Sequence, residues 1–120
     1  VRGLCIIREN PDLLVKNYGI PPEIIRLIAS RPVSGFQALT NLQEVSISIS
    51  EFLRSGGGVV LLDGLEYLIN RFDFDSVYSL LQEKRFDFLD ARGVLLIPLN
   101  LKTISNRERA LLESELKTLK

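Results

Sequence analysis

The chain has 120 residues, of which 46% are hydrophobic and 25% charged, and its 15 Lys+Arg balance 15 Asp+Glu to a formal net charge of zero. That length suits one domain, and the composition is globular: too apolar for a disordered chain, too balanced for a nucleic-acid arm or a polybasic membrane binder. With no His and a single Cys, a disulfide framework, a zinc finger and any His-based general base or metal site are excluded within the chain.

A chain that opens on Val1 and contains no Met is expected to be a domain excised from a longer polypeptide. Its longest apolar runs, Val59–Leu62 and Val94–Leu99, fall far short of the roughly 20 residues of a membrane span, and no signal-peptide pattern precedes them. Cys5 sits in the apolar run Leu4–Ile7 and is expected to act as a small buried hydrophobe. One unpaired cysteine agrees with a reducing, cytoplasmic location.

In chain order, Leu4–Ile7 is a continuous apolar run, as in a strand covered on both faces. Asn10–Pro11 then supplies an N-cap and a first-turn proline for a short helix carrying Leu13, Leu14 and Tyr18, with Gly19 as its stop. Pro21–Pro22 breaks the chain, Ile24–Ala29 forms a second strand ended by Arg31–Pro32, and Arg31–Leu39 has no period and reads as a loop.

Val45–Ser50 alternates like a strand, yet Leu42, Val45, Ile49, Phe52 and Leu53 share one helical stripe. Thr40 with Gln43, or Asn41 with Glu44, offers a helix start and Gly56 a stop. The span is too long for a typical strand, so a helix is predicted.

Val59–Leu62 is the clearest strand and ends on Asp63. Gly64 onward turns into a helix with Leu65, Leu68 and Ile69. A longer helix starts at Asp73 or Asp75 and carries Val77, Leu80, Leu81 and Phe88 or Leu89. After Gly93 comes a last strand, Val94–Ile97, and Ser105–Glu108 is a capping box opening a terminal helix with Leu111, Leu112, Leu116 and Leu119. Four apolar strands alternating with helices predict a single α/β domain over 1–120, a three-layer sandwich around a small, mainly parallel four-stranded sheet.

In such a sheet ligands bind beyond the carboxyl ends of the strands, near the reversal of strand order. The polar residues expected there are Arg8, Glu9 and Asn10, Ser30 and Arg31, Asp63 and Glu66, and Asn100. Asp63, with Glu66 and Arg8 beside it, is the candidate for holding magnesium and a nucleotide, because a carboxylate after four apolar residues resembles the strand-end Asp of P-loop ATPases. The same residues suit a local role, with Asp63 as N-cap and Glu66 at the third helical position.

Other chemistries lack parts. A phosphate loop needs glycines between a strand and a helix, whereas Gly56–Gly58 lies after a helix and before a strand. A phosphoacceptor site would need an acidic cluster after the first strand, where Arg8–Glu9 stands, and a Lys after the last, where Lys102 is offset. A Ser–Lys pair has the residue types without a spacing that selects them. Basic residues form no run interleaved with aromatics, so nucleic acid is not an expected partner. Phe72, Phe74, Phe86 and Phe88 alternate with acids around one helix, either anchoring it to the sheet or forming a patch for a protein partner.

Gly3–Pro11, Val59–Asn70 (with Leu62-Asp-Gly-Leu-Glu-Tyr-Leu68 as its most specific piece), Leu96–Pro98 and Leu111–Leu116 together resemble the archaeal domain family of unknown function numbered 835, over nearly the whole chain and in the same order. The chain departs from it at Glu23–Ala29, where the resemblance implies an aromatic-bearing strand. The family is similar to a degenerate relative of RecA/KaiC-type ATPases attached to signalling or membrane segments, which implies an α/β module without its own catalysis. The functional expectation is therefore a non-enzymatic interaction or regulatory module of a larger archaeal protein. It needs no cofactor or metal and acts through a protein partner, homodimerisation included. The alternative is a nucleotide- and magnesium-binding domain using Asp63.

Overall fold

A computed structural model describes residues 2–8, 11–31, 35–98 and 105–115. The elements are β1 (Gly3–Ile7), α1 (Pro11–Tyr18), a 3-10 turn (Pro22–Ile24), β2 (Ile25–Ile28), β3 (Gln37–Leu39), α2 (Leu42–Arg54), β4 (Val59–Leu62), α3 (Leu65–Arg71), α4 (Phe74–Ala91), β5 (Val94–Leu96) and α5 (Asn106–Glu115). Every strand pair is parallel, in the order β3-β2-β1-β4-β5.

The expected α/β class and parallel sheet are present, but the sheet has five strands, not four. The added strand, β3, lies in the stretch expected to be a loop. It pairs with β2 through Leu27 opposite Ala38 and Ile28 opposite Leu39. Parallel neighbours are usually joined by a crossover of a dozen or more residues; the connection 29–36 is shorter, so the rule of strands alternating with helices passed over it.

The strand order reverses at β1. From β1 the chain steps outward to β2 and β3, and then α2 carries it back to β4 on the other side of β1. In register, Cys5 stands opposite both Ile25 and Leu61. Side-chain alternation divides the apolar residues into two clusters. Leu4, Ile6, Val60 and Leu62 pack with Val45, Ile49 and Leu53 of α2, Leu65 and Leu68 of α3, Val77, Leu80, Leu81 and Phe88 of α4, and Leu112 of α5. Ile7, Ile25 and Leu27 form the smaller cluster with Ala29, joined by Cys5, Val15 of α1, Ile20, Ile24, Phe36 and Ala38. Ile6, Val60 and Leu62 are wholly buried, each worth about 1.5–3 kcal/mol relative to an exposed side chain. Burial pushes the half-buried Cys5 thiol above its usual range.

Caps set the helix limits. Between the two starts offered for α2, Asn41 with Glu44 is the one formed: Asn41 Oδ1 accepts from the Glu44 amide at 2.9 Å, and the Glu44 carboxylate accepts from the Thr40 amide and hydroxyl at 2.6 and 2.7 Å. These bonds to Thr40 hold the Glu44 carboxyl below its ordinary value. Asp73, not Asp75, caps α4 by accepting from the Ser76 amide at 2.7 Å. The Ser105–Glu108 box forms as read, with Glu108 N donating to Ser105 Oγ at 3.1 Å. Gly56, Gly57 and Gly58 end α2 and turn into β4, all with positive φ. At Gly58 even a Cβ would collide with the carbonyl oxygen of Arg2. Asn10 as cap of α1, Pro32, and Leu116 and Leu119 as part of the α5 stripe lie outside the described residues.

Candidate functional site

The reversal between β1 and β4 is where an open parallel sheet leaves a crevice for a ligand. β1 runs out at Ile7 into Arg8, and β4 at Leu62 into Asp63 and Gly64. The Asp63 amide donates to Ile6 O at 2.8 Å, extending the ladder by one step. Gly64 follows with φ +123, where a Cβ would meet Arg8 Cβ at 3.0 Å and Ile28 Cδ1 at 3.4 Å. Only glycine suits both that backbone conformation and that approach.

Among the described residues, side chains from the two walls meet at this reversal. The Arg8 guanidinium carbon stands 4.1 Å from the centroid of the Tyr67 ring on the first turn of α3, and its Nη1 donates to Ile28 O at 3.4 Å. Asp63 and Glu66 are half-buried nearby, and both are already engaged in polar interactions. The expected capping role of Asp63 is corrected: the N-cap of α3 is Gly64, one residue later. The cap has positive φ and packs close to Arg8, so a side chain there would be strained and crowded. Ser30 and Arg31 are exposed after β2. Glu9, Asn100 and Lys102 lie outside the described residues.

Two clefts, of about 460 and 290 Å³, open at the other end of the sheet. Arg26 and Gln37, near the starts of β2 and β3, line both; neither cleft touches Arg8, Asp63 or Glu66. Among the described residues no group of three or more His, Cys, Asp or Glu side chains is placed to hold a metal ion, and no helix is long and apolar enough to cross a membrane.

One polar cluster was not singled out by sequence. Lys84 of α4 is 3% exposed, and its Nζ donates to Ser50 Oγ of α2 and to Asp87 Oδ2 at 3.4 Å. The signal was available: Lys84 lies on the stripe of Val77, Leu80, Leu81 and Phe88. This is also the serine–lysine pairing that spacing could not select, and its surroundings suit a clamp rather than a nucleophile. Ser50 is in the interior of α2, where the neighbouring amides serve the helix itself, and the ammonium already has two acceptors. It ties α2 to α4.

The four phenylalanines separate. Phe74 and Phe88 are core residues, Phe74 stacking on Tyr78 with ring centroids 5.6 Å apart; as interaction residues both are corrected. Residues two apart on a helix point about 200° apart, so Phe86 and Phe88 cannot face the same way. Phe72 is half-buried, with the Arg71 guanidinium 5.4 Å from its ring centroid. Phe86 is 69% exposed, and Leu89, one turn on, is 64% exposed. Of the two alternatives for the core stripe, Phe88 is the one buried.

Fold and site together define an all-parallel α/β domain with one reversal of strand order, Arg8 stacked on Tyr67 beside it, and an apolar pair displayed on the longest of the described helices. The family model described as "Protein of unknown function (DUF835)" matches residues 1–116, and the chain belongs to that family. No curated protein matches the chain, and no solved structure does.

Proposed function

We propose that this domain is a non-catalytic interaction module, a regulatory or signalling part of a longer archaeal protein, and that it works by contact with a protein partner. The observation that carries this reading is the display of Phe86 and Leu89 on α4. The opposite stripe of the same helix is buried, so the fold does not need these two side chains, and large exposed apolar groups grouped on one element mark contact surfaces. The stack of Arg8 on Tyr67 at the β1–β4 reversal supports it further, since a ligand reaching between those two side chains would first have to displace it. Self-association belongs to the same class of function.

The competing reading, a degenerate ATPase-like domain binding a nucleotide and magnesium through Asp63, has one observation in its favour: Arg8 and Asp63 follow neighbouring strands at the reversal point. Thermal melting with and without magnesium–ATP separates the two. An unchanged melting temperature is expected. A rise that disappears in Asp63→Ala would replace the interaction reading with the nucleotide one.

A further inference from the structure

We infer that two copies of this chain dimerise across the sheet face that carries α1, the outer side of each α1 covering the β4–β5 half of the other copy's sheet. Right-handed crossovers place helices according to the direction of travel along the sheet. The step from β1 to β2 carries α1 on one face; the steps from β3 to β4 and from β4 to β5 run the opposite way and carry α2, α3 and α4 on the other. Parallel sheets are normally covered on both faces, but α1, through Val15, packs only with the cluster over β1, β2 and β3. In register, Gly3 stands opposite Val59 and Cys5 opposite Leu61, with Val94 and Leu96 next across on β5. Val59, Leu61, Val94 and Leu96 therefore share the α1 face, and among the described residues none of the four belongs to either core cluster. Val94 is 47% exposed and the other three are half-buried.

Shape, charge and area select a second copy. α1 stands above the sheet as a ridge beside the bare half, and two such steps interlock about a two-fold axis. The lengths match: eight helical residues span about 12 Å, and the four residues of β4 about 13 Å. Pro11 and Val15 mark the inward side of α1, and Leu13, about 160° from both around the helix, is 52% exposed on the outward side. The bare half carries no charge, and the charges beside Leu13, Asp12 and Lys16, are opposite in sign, so a copy meets no concentrated charge of its own sign. One covering helix would hide a footprint of only about 12 by 10 Å. The two-fold axis doubles it, to the low end of interface size, where association is weak and concentration-dependent. This goes beyond the interaction reading above and uses a different surface: α4 lies on the opposite face, and the dimer leaves Phe86 and Leu89 uncovered.

Sedimentation velocity on the whole chain tests this. A dimer is expected to become populated between about 10 μM and 1 mM, and to persist in Phe86→Ser. Leu13→Glu and Val94→Lys, both at exposed positions, should each weaken it at least about tenfold, while each variant still melts cooperatively. Mixed in equal amounts, the two variants should dimerise again, because one contact of the mixed pair is unaltered and the other sets Glu and Lys on facing surfaces. A chain that stays monomeric up to about 1 mM would overturn the inference, as would a dimer indifferent to Leu13→Glu or a mixture that stays monomeric. A dimer dissociated by Phe86→Ser would overturn it too and assign self-association to α4. None of these outcomes reads Asp63, so the magnesium–ATP melt is decided separately.

Discussion

Lys84 offers the sharpest energetic question in the fold: whether the α2–α4 contact uses its ammonium group or its aliphatic stem. Both act at one nearly fully buried position, and substitutions separate them. Lys84→Ala removes most of the packed stem; the three methylenes beyond Cβ, at about 0.8 kcal/mol each, set the loss at about 2.4 kcal/mol. Lys84→Met keeps a stem of similar volume and deletes only the donor. What remains is not stranded. The Asp87 side chain is 47% exposed and can be rehydrated, and the Ser50 hydroxyl can turn back to the carbonyl of Ser46 in its own helix. Removing the charge also removes the cost of burying it, which often matches what a buried pair contributes. Urea denaturation followed by far-ultraviolet circular dichroism should therefore place Lys84→Met within about 1 kcal/mol of the parent and Lys84→Ala about 2.4 kcal/mol below it, with equal m-values. A methionine variant as unstable as the alanine variant would refute the reasoning and show that the ammonium holds the two helices together.

Three further outcomes rest on the same packing. Phe86→Ser should leave stability within about 0.5 kcal/mol, whereas Phe88→Ala should cost about 3–5 kcal/mol; similar values in chemical denaturation would mean the two faces of α4 are misassigned. Gly35→Ala, at φ +86 with nothing near its Cβ, should cost only the backbone strain of about 1–2 kcal/mol. Gly58→Ala must in addition disturb the bond from Val59 N to Arg2 O and should exceed about 3 kcal/mol; equal losses would contradict the close approach of the β1 and β4 ends. Glu44 has a lowered folded value, so its stabilisation is present above the unfolded carboxylate value of about 4.3 and is lost as pH falls through the folded one. Melting curves of Glu44→Gln and the parent should therefore converge on acidification, and a gap independent of pH would count against the cap.

Much of the fold was legible because it is written in local pattern. The Val45–Ser50 segment fits two periods, but only the helical one joins Val45, Ile49 and Leu53 with a cap at Asn41 and a stop at Gly56. β3 left no comparable trace. It is three residues at a sheet edge, exposed, half-buried and buried in turn, and what makes it a strand is its pairing with β2. The site was harder to read. Asp63 stands at a strand end as expected, but the helix begins one residue later than its capping role requires, on a glycine of positive φ packed against Arg8, far away in sequence. Lys84 and Phe86 show the opposite failure, since the helical period alone put one inside and the other outside, against the ordinary expectation for each residue type.

The interaction reading can be tested against the strand-end site in a single titration. Amide chemical shifts of the isotopically labelled chain, recorded as magnesium–ATP is added, should stay still at Arg8 and Asp63–Tyr67. Shifts concentrated at Arg8 and Asp63–Tyr67 would contradict the assignment of function to protein contact.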